Sequence, residues 1–158
     1  MNYLGLLKML YIADRIALQR MEQPITGDNY VSMDYGLVLG YVYDLMKGQP
    51  VDALSLWSKF ISPLNSNYVF LLNDPGNAEL CEEEEEILKE VYQNFEHLNP
   101  FDVAQWTHDL PEWQNPYGSA TPISVEDVLR YVGKTDQEIE QIQQEAIREA
   151  YLDEALHG

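Results

Sequence analysis

A few side chains in this sequence have types that could do chemistry. His108 beside Asp109 offers the two groups that orient and charge an imidazole. Five consecutive glutamates, Glu82 to Glu86, offer hard oxygen ligands. Cys81, His97, His108 and His157 are the available thiolate and imidazole ligands, and Asp14 is a lone carboxylate set in an otherwise apolar stretch. Spacing argues against each as a reactive centre. Neighbouring residues on a helix point in different directions, so His108 and Asp109 do not converge on one atom, and no nucleophile motif accompanies them. The same geometry spreads Glu82 to Glu86 around a helix. One Cys and three scattered His give no zinc spacing. No phosphate-binding loop, dinucleotide fingerprint or nucleophile elbow occurs. The chain therefore reads as non-catalytic, with no metal or cofactor.

The elements that would hold these residues are mostly helical. Leu7, Leu10, Tyr11, Asp14 and Leu18 follow a helical rhythm across residues 3–20, which places Asp14 on or beside the apolar stripe. A bare carboxylate there would be costly to bury, so Asp14 is expected to cap or bridge a neighbouring loop, with Arg15 swinging to the rim. Pro24 ends the helix and Thr26-Gly27-Asp28-Asn29 is a turn signal. Tyr30 to Met33 alternates as a short strand. After Gly36, a second helix is expected from Leu37 to Lys47, stopped by Gly48.

Beyond Pro50, VDALSLWSKFISPL has an ambiguous period, helical through Trp57 and Phe60 or opening a strand near Phe60-Ile61. Tyr68 to Leu72 is β-branched, aromatic and short, the strongest strand pattern in the chain. Further helices are expected from about Ala78 to Glu96 and from Asn99-Pro100 to about Asp109. Gln114 to Pro122 reads as a loop. Ser124 and Thr135 each head a capping box, the first opening a helix that stops at Gly133 and the second a last helix to about Ala155. The last helix carries the stripe Ile139, Ile142, Ala146 and Ala150, extended by Ile147 and Tyr151. Its first half is expected to pack on the body and its end to fray after Tyr151. The fold class is mainly α (α+β): one domain over 1–158 of six to seven helices with a two- or three-stranded antiparallel sheet, its core over about 3–133 and its last helix over about 136–155.

Charge narrows the partners. The chain carries 27 acidic and 9 basic residues in 158, a net charge of −18. Residues 79–158 alone hold 20 acids and 4 bases. Such a field repels nucleic acid and anionic membranes and attracts basic proteins. With a single Cys, no apolar run of membrane-spanning length and no secretory pattern in MNYLGLLKMLYIADR, a cytoplasmic protein is expected.

Three pieces taken together resemble a known family. They are Lys8-Met9-Leu10-Tyr11-Ile12-Ala13-Asp14-Arg15, then Pro24-Ile25-Thr26-Gly27-Asp28-Asn29-Tyr30, then Tyr35-Gly36 ahead of the Val42–Leu45 helix. With Trp106-Thr107-His108-Asp109 and Trp113, they make residues 4–132 similar to the Panacea domain family, the SocA-like antitoxins and phage-associated proteins. That resemblance implies an antitoxin without enzyme activity, which neutralises a cognate toxin protein by direct contact. One branch of the family acts as an adaptor delivering its toxin to a protease. The resemblance places Asp14, Arg15, Tyr35, Gly36, Trp106 and His108 at signature positions. With Tyr43 and Trp113 they form the candidate partner-binding set. Leu37 departs from the family pattern, which has Pro after Tyr-Gly. No DNA-binding helix-turn-helix extension is expected beside the domain. The acidic half supports a different reading, a phage-type inhibitor that mimics nucleic acid on a host protein.

Overall fold

The structure is a computed structural model that describes residues 1–49 and 53–157. Its first helix, α1 (Tyr3–Met21), is the axis of the molecule. The Asn2 side chain caps it, accepting from the amides of Leu4 and Gly5. Glu22 closes it in the left-handed conformation. Sequence periodicity predicts one apolar stripe, yet α1 is buried on several sides. Tyr11 and Leu18 join one apolar cluster, Ile12, Ala13 and Ala17 a second, and Leu7 a third. A helix wrapped in this way must also bury what lies between its stripes, and Lys8 and Asp14 are both inaccessible.

The sheet is antiparallel with strand order β2-β1-β3. β1 (Tyr30–Met33) lies where it is expected. β2 (Gly36–Leu39) corrects the helix expected from Leu37: Tyr30 pairs with Leu39 and Met33 with Gly36, and helix α2 (Gly40–Met46) begins only after the strand. The cause is Gly36. At φ +112° it completes the reversal through Asp34 and Tyr35, sending Leu37, Val38 and Leu39 into the core as a strand. Pro50, Val51 and Asp52, which open the ambiguous stretch, lie outside the described residues. That stretch resolves as helix α3 (Leu54–Phe60).

Tyr68 to Leu72, the strongest strand pattern, is no sheet strand. The Asn65-Ser66-Asn67 turn, left-handed at Ser66 and Asn67, folds it back so that Asn65 bridges Tyr68 and Ile61 bridges Leu71. It then zips to the start of the chain through Tyr3 N–H to Asn67 O and Val69 N–H to Met1 O. The third strand is instead β3 (Thr121–Ile123), from a segment expected to be a loop through Pro122. Pro122 is tolerated because β3 lies at the sheet edge, where a missing amide donor is left unneeded.

Four helices complete the fold. α4 (Glu82–Phe95) starts four residues later than expected, with Cys81 as its cap. In α5 (Pro100–His108) Asn99 caps and Pro100 leads, as the sequence suggests. α6 (Val125–Tyr131) is capped by Ser124. α7 (Asp136–His157) is headed by the reciprocal Thr135 and Glu138 bonds and stays helical past Tyr151. Seven helices and a three-stranded antiparallel sheet, among the described residues, make the expected mainly α (α+β) fold.

Gly36 is the most sensitive backbone position. A Cβ there would collide with Thr107 Oγ1 and the Ala104 carbonyl, at a φ that side chains rarely adopt. Gly36→Ala should therefore cost about 3 kcal/mol or more, combining backbone strain with overpacking, read as a lowered midpoint in urea unfolding.

Candidate functional site

The polar residues that stand out in the sequence gather around α1, and most of them are used up there. Asp14 accepts four hydrogen bonds: from the Ile25 and Thr26 amides, both at 2.9 Å, from the Thr26 hydroxyl at 2.5 Å, and from the Tyr30 hydroxyl at 3.1 Å. This is the expected bridge to the neighbouring loop. Burial raises the Asp14 carboxyl above the ordinary range, and the donors from Thr26, Tyr30 and Ile25 pull it back down. Burial also raises the Tyr30 phenol, with the Asp14 charge adding to the effect. The loop continues the pattern. Asp28 accepts from the amides of Tyr41 and Val42 and so caps α2 from a distance in sequence.

On the adjoining side, Arg15 Nε meets Glu112 Oε2 at 2.7 Å, and the Tyr11 hydroxyl donates to the same oxygen at 2.7 Å. Glu112 is 1% exposed. Burial raises the Tyr11 phenol, and the Glu112 charge strengthens the effect. Lys8 Nζ donates to the Leu37 carbonyl at 3.0 Å, and burial lowers its amine to about 7. Thr107 Oγ1 accepts from the Leu37 amide at 3.2 Å and donates to Ala104 O at 2.9 Å. Ser32 and Gln114 exchange a pair of bonds, and the Trp113 indole donates to Met33 O at 2.8 Å. Among the described residues, every buried side-chain nitrogen and oxygen has a partner.

The candidate partner-binding residues thus fall into separate places. Asp14 and Gly36 are buried and act only through the frame they build. Arg15 is turned inward onto Glu112. The His108 ring lies 3.8 Å from that of Trp113, and its Nδ1 is 3.8 Å from Asp109, too far for a hydrogen bond. Gly36 backs onto the end of α5 that carries His108, and Trp113 bonds to Met33, so the structure brings Gly36, His108 and Trp113 together. Tyr35 projects from the same hairpin at 73% exposure. Trp106 is half-exposed and edge-on to Phe95. Tyr43 is distant, sharing an apolar cluster with Leu7 and lying 5.6 Å under Lys47. Sequence reasoning missed Glu112, Lys8, Thr107 and Ser32. A charged residue wedged between Pro111 and Trp113, and a lysine one turn ahead of Ile12 within the apolar part of α1, were the available signals.

A second surface feature lies at the other end of α1. Between its C-terminus, α6 and α7 runs a groove of about 1080 Å³. Among the described side chains of α7, Ile139 alone is buried and Ile142 is half-buried; Ala146, Ile147, Ala150 and Tyr151 are exposed. The expected packing of the first half of α7 therefore stops at Ile142. Among the described residues no three His, Cys, Asp or Glu side chains are placed to hold a metal, and no helix is long and apolar enough to cross a membrane.

The fold and its internally satisfied polar frame define a small α+β scaffold whose free groups lie on its surfaces. Residues 6–114 match the family described as "Antitoxin SocA-like, Panacea domain", and the chain belongs to that family. An antitoxin role in general, and with it a protein partner, comes with that membership. No curated protein and no solved structure matches the chain.

Lys8 generates a pH prediction. Its amine is near neutral in the folded protein and fully charged at the same pH once unfolded, so the unfolded state binds more protons between about pH 7 and 10. Stability should rise across that window, by on the order of 2–3 kcal/mol between about pH 7 and 9.5. In Lys8→Met the rise should vanish. Urea unfolding of both proteins across the range measures it, and parallel pH profiles would refute the assignment.

Proposed function

We propose that this chain is an antitoxin that neutralises a cognate toxin protein by direct binding, with no chemistry of its own. Family membership supports the reading. The observation that carries it is the fate of Asp14. The most conspicuous carboxylate of the matched region is spent on four internal donors, so it holds a loop in place and has no lone pair directed at a substrate. A scaffold whose polar groups are consumed internally acts through its surface. Of the candidate set, Tyr35 and Trp106 are exposed and Tyr43, His108 and Trp113 are half-buried, and aromatic residues favour interfaces.

A second reading, an acidic inhibitor that mimics nucleic acid, draws on the 20 acids of residues 79–158. Two of the five consecutive glutamates already have local tasks: Glu84 caps α4 at Cys81, and Glu85 accepts from Asn77. Delivery of the toxin to a protease is a variant of the first reading, in which the toxin disappears instead of being masked.

Co-expression with the product of the neighbouring gene separates these readings. The expected outcome is a neighbour that arrests growth alone and is harmless beside this protein, at an unchanged toxin level on immunoblot. A falling toxin level would assign the adaptor variant. A harmless neighbour, or one that stays toxic, would refute the antitoxin reading. Protection lost on neutralising Glu82 to Glu86, with folding intact, would favour the mimic.

A further inference from the structure

We propose that the groove between α1, α6 and α7 is the docking site for a basic amphipathic helix of the toxin. This rests on the antitoxin reading and adds to it the partner's chemistry and the face that meets it. The groove is concave and its lining surface is mainly apolar. Met21 and Pro24 line it on the α1 side and Ile142, Ala146 and Ala150 on the α7 side, with the buried Leu18 and Leu129 beneath and the exposed Val125 of α6 alongside. From Gln141 to Asp153, α7 offers about 18 Å of wall, roughly three and a half helical turns. That is the length and shape of a helix-in-groove site, which is read by residues at i, i+3, i+4 and i+7.

Charge selects the occupant. The rim carries Glu22, Glu145, Glu149 and Asp153, and among the described residues no Lys or Arg lines the groove. Arg148 lies 3.3 Å from Glu145 and Lys134 3.9 Å from Glu22. Both are surface pairs of little net worth, which a partner's cation can replace. Glu149 accepts from the Gln23 amide at 3.0 Å, a neutral tie across the groove for which a partner's cation is a stronger substitute. α7 as a whole has seven acids and one base. A second copy of this chain would set two such helices together and meet like-charge repulsion, and nucleic acid and anionic lipid are repelled in the same way. A helix with an apolar face and basic flanks matches both floor and rim.

The position of the groove in the chain fits a specificity site. One wall belongs to the residues that match the family, and the other, from α6 and α7, lies beyond residue 114.

The test uses the full-length protein and a fluorescent Leu/Lys amphipathic peptide of about 16 residues, with a Leu/Glu counterpart as control. Ala146→Arg with Ala150→Arg obstructs the groove from exposed helix positions. Glu83→Gln with Glu86→Gln changes the net charge by the same amount on α4. Circular dichroism and thermal unfolding establish that both variants fold. The expected result is about tenfold weaker peptide binding for the groove variant, little change for the α4 variant, and peptide-induced hydrogen-exchange protection over residues 139–153. Equal weakening in both variants, protection elsewhere, equal binding of the acidic peptide, or a dimer of the free protein protected along α7 would each overturn the proposal. In co-expression, a groove variant that still protects cells overturns the docking site and leaves the antitoxin reading standing. A wild-type chain that fails to protect removes that reading, while the peptide result still decides what chemistry the groove accepts.

Discussion

A charged group sealed inside a protein must be answered in full, and α1 seals in several. Asp14 at the centre is answered by two backbone amides and two hydroxyls, all from residues 25–30. Those bonds fix the path of the chain as it leaves α1. With residues 25–30 held, Tyr30 enters β1 in register with Leu39, and Asp28 reaches across to the first amides of α2. The hairpin then lies against α5 closely enough that only a residue without a side chain fits at position 36. One ion and its donors thus determine a loop, a strand register and a helix start.

The same constraint recurs beside it. Arg15 and Tyr11 converge on Glu112, so the far end of the matched region is bound to its beginning. Lys8 is the contrasting case. Its Nζ reaches the Leu37 carbonyl, and burial moves its amine toward neutrality. The frame therefore combines a carboxylate compensated by many donors with an amine compensated by loss of charge. Both solutions keep reactive-looking groups away from solvent, and both fit a protein that presents surfaces to a partner.

Much of this was legible in the sequence where the deciding forces are local. The caps at Asn99, Ser124 and Thr135, the first helix and the first strand follow from side chains a few residues apart. Asp14 could be assigned a loop partner because a bare carboxylate on an apolar stripe has few alternatives. The errors share a different cause. Leu37 to Leu39 has helix-compatible residues, and its strand state comes from Gly36 and from pairing with β1. Tyr68 to Leu72 has strand-forming residues, yet a turn at residues 65–67 folds it onto its own neighbours, while Thr121 to Ile123, of modest propensity and containing Pro122, takes the vacant sheet edge. Tertiary pairing overrides strand propensity in both directions. Glu112 carried no periodic signal, since its importance comes from Arg15 and Tyr11, which are distant in sequence. α7 has the pattern of a packed helix, and nothing in that pattern could say that the body ends at Ile142.

The Tyr11–Glu112 contact spans 101 residues of sequence and the Arg15–Glu112 pair spans 97. A chain emerging from the ribosome at about 5–20 residues per second makes α1 first and completes it last, with an interval of roughly 5–20 s before Glu112 follows. During that interval Arg15 and Tyr11 have no Glu112, and α1 still lacks α5 and β3 to cover it. The finished fold therefore depends on nearly the whole family-matched region being synthesised, and a nascent chain interrupted before Glu112 leaves a helix with apolar residues on several sides exposed to the quality-control machinery of the cell. Under the antitoxin reading proposed above, protection would then begin with completed chains and would lag translation by the time needed to close that long loop.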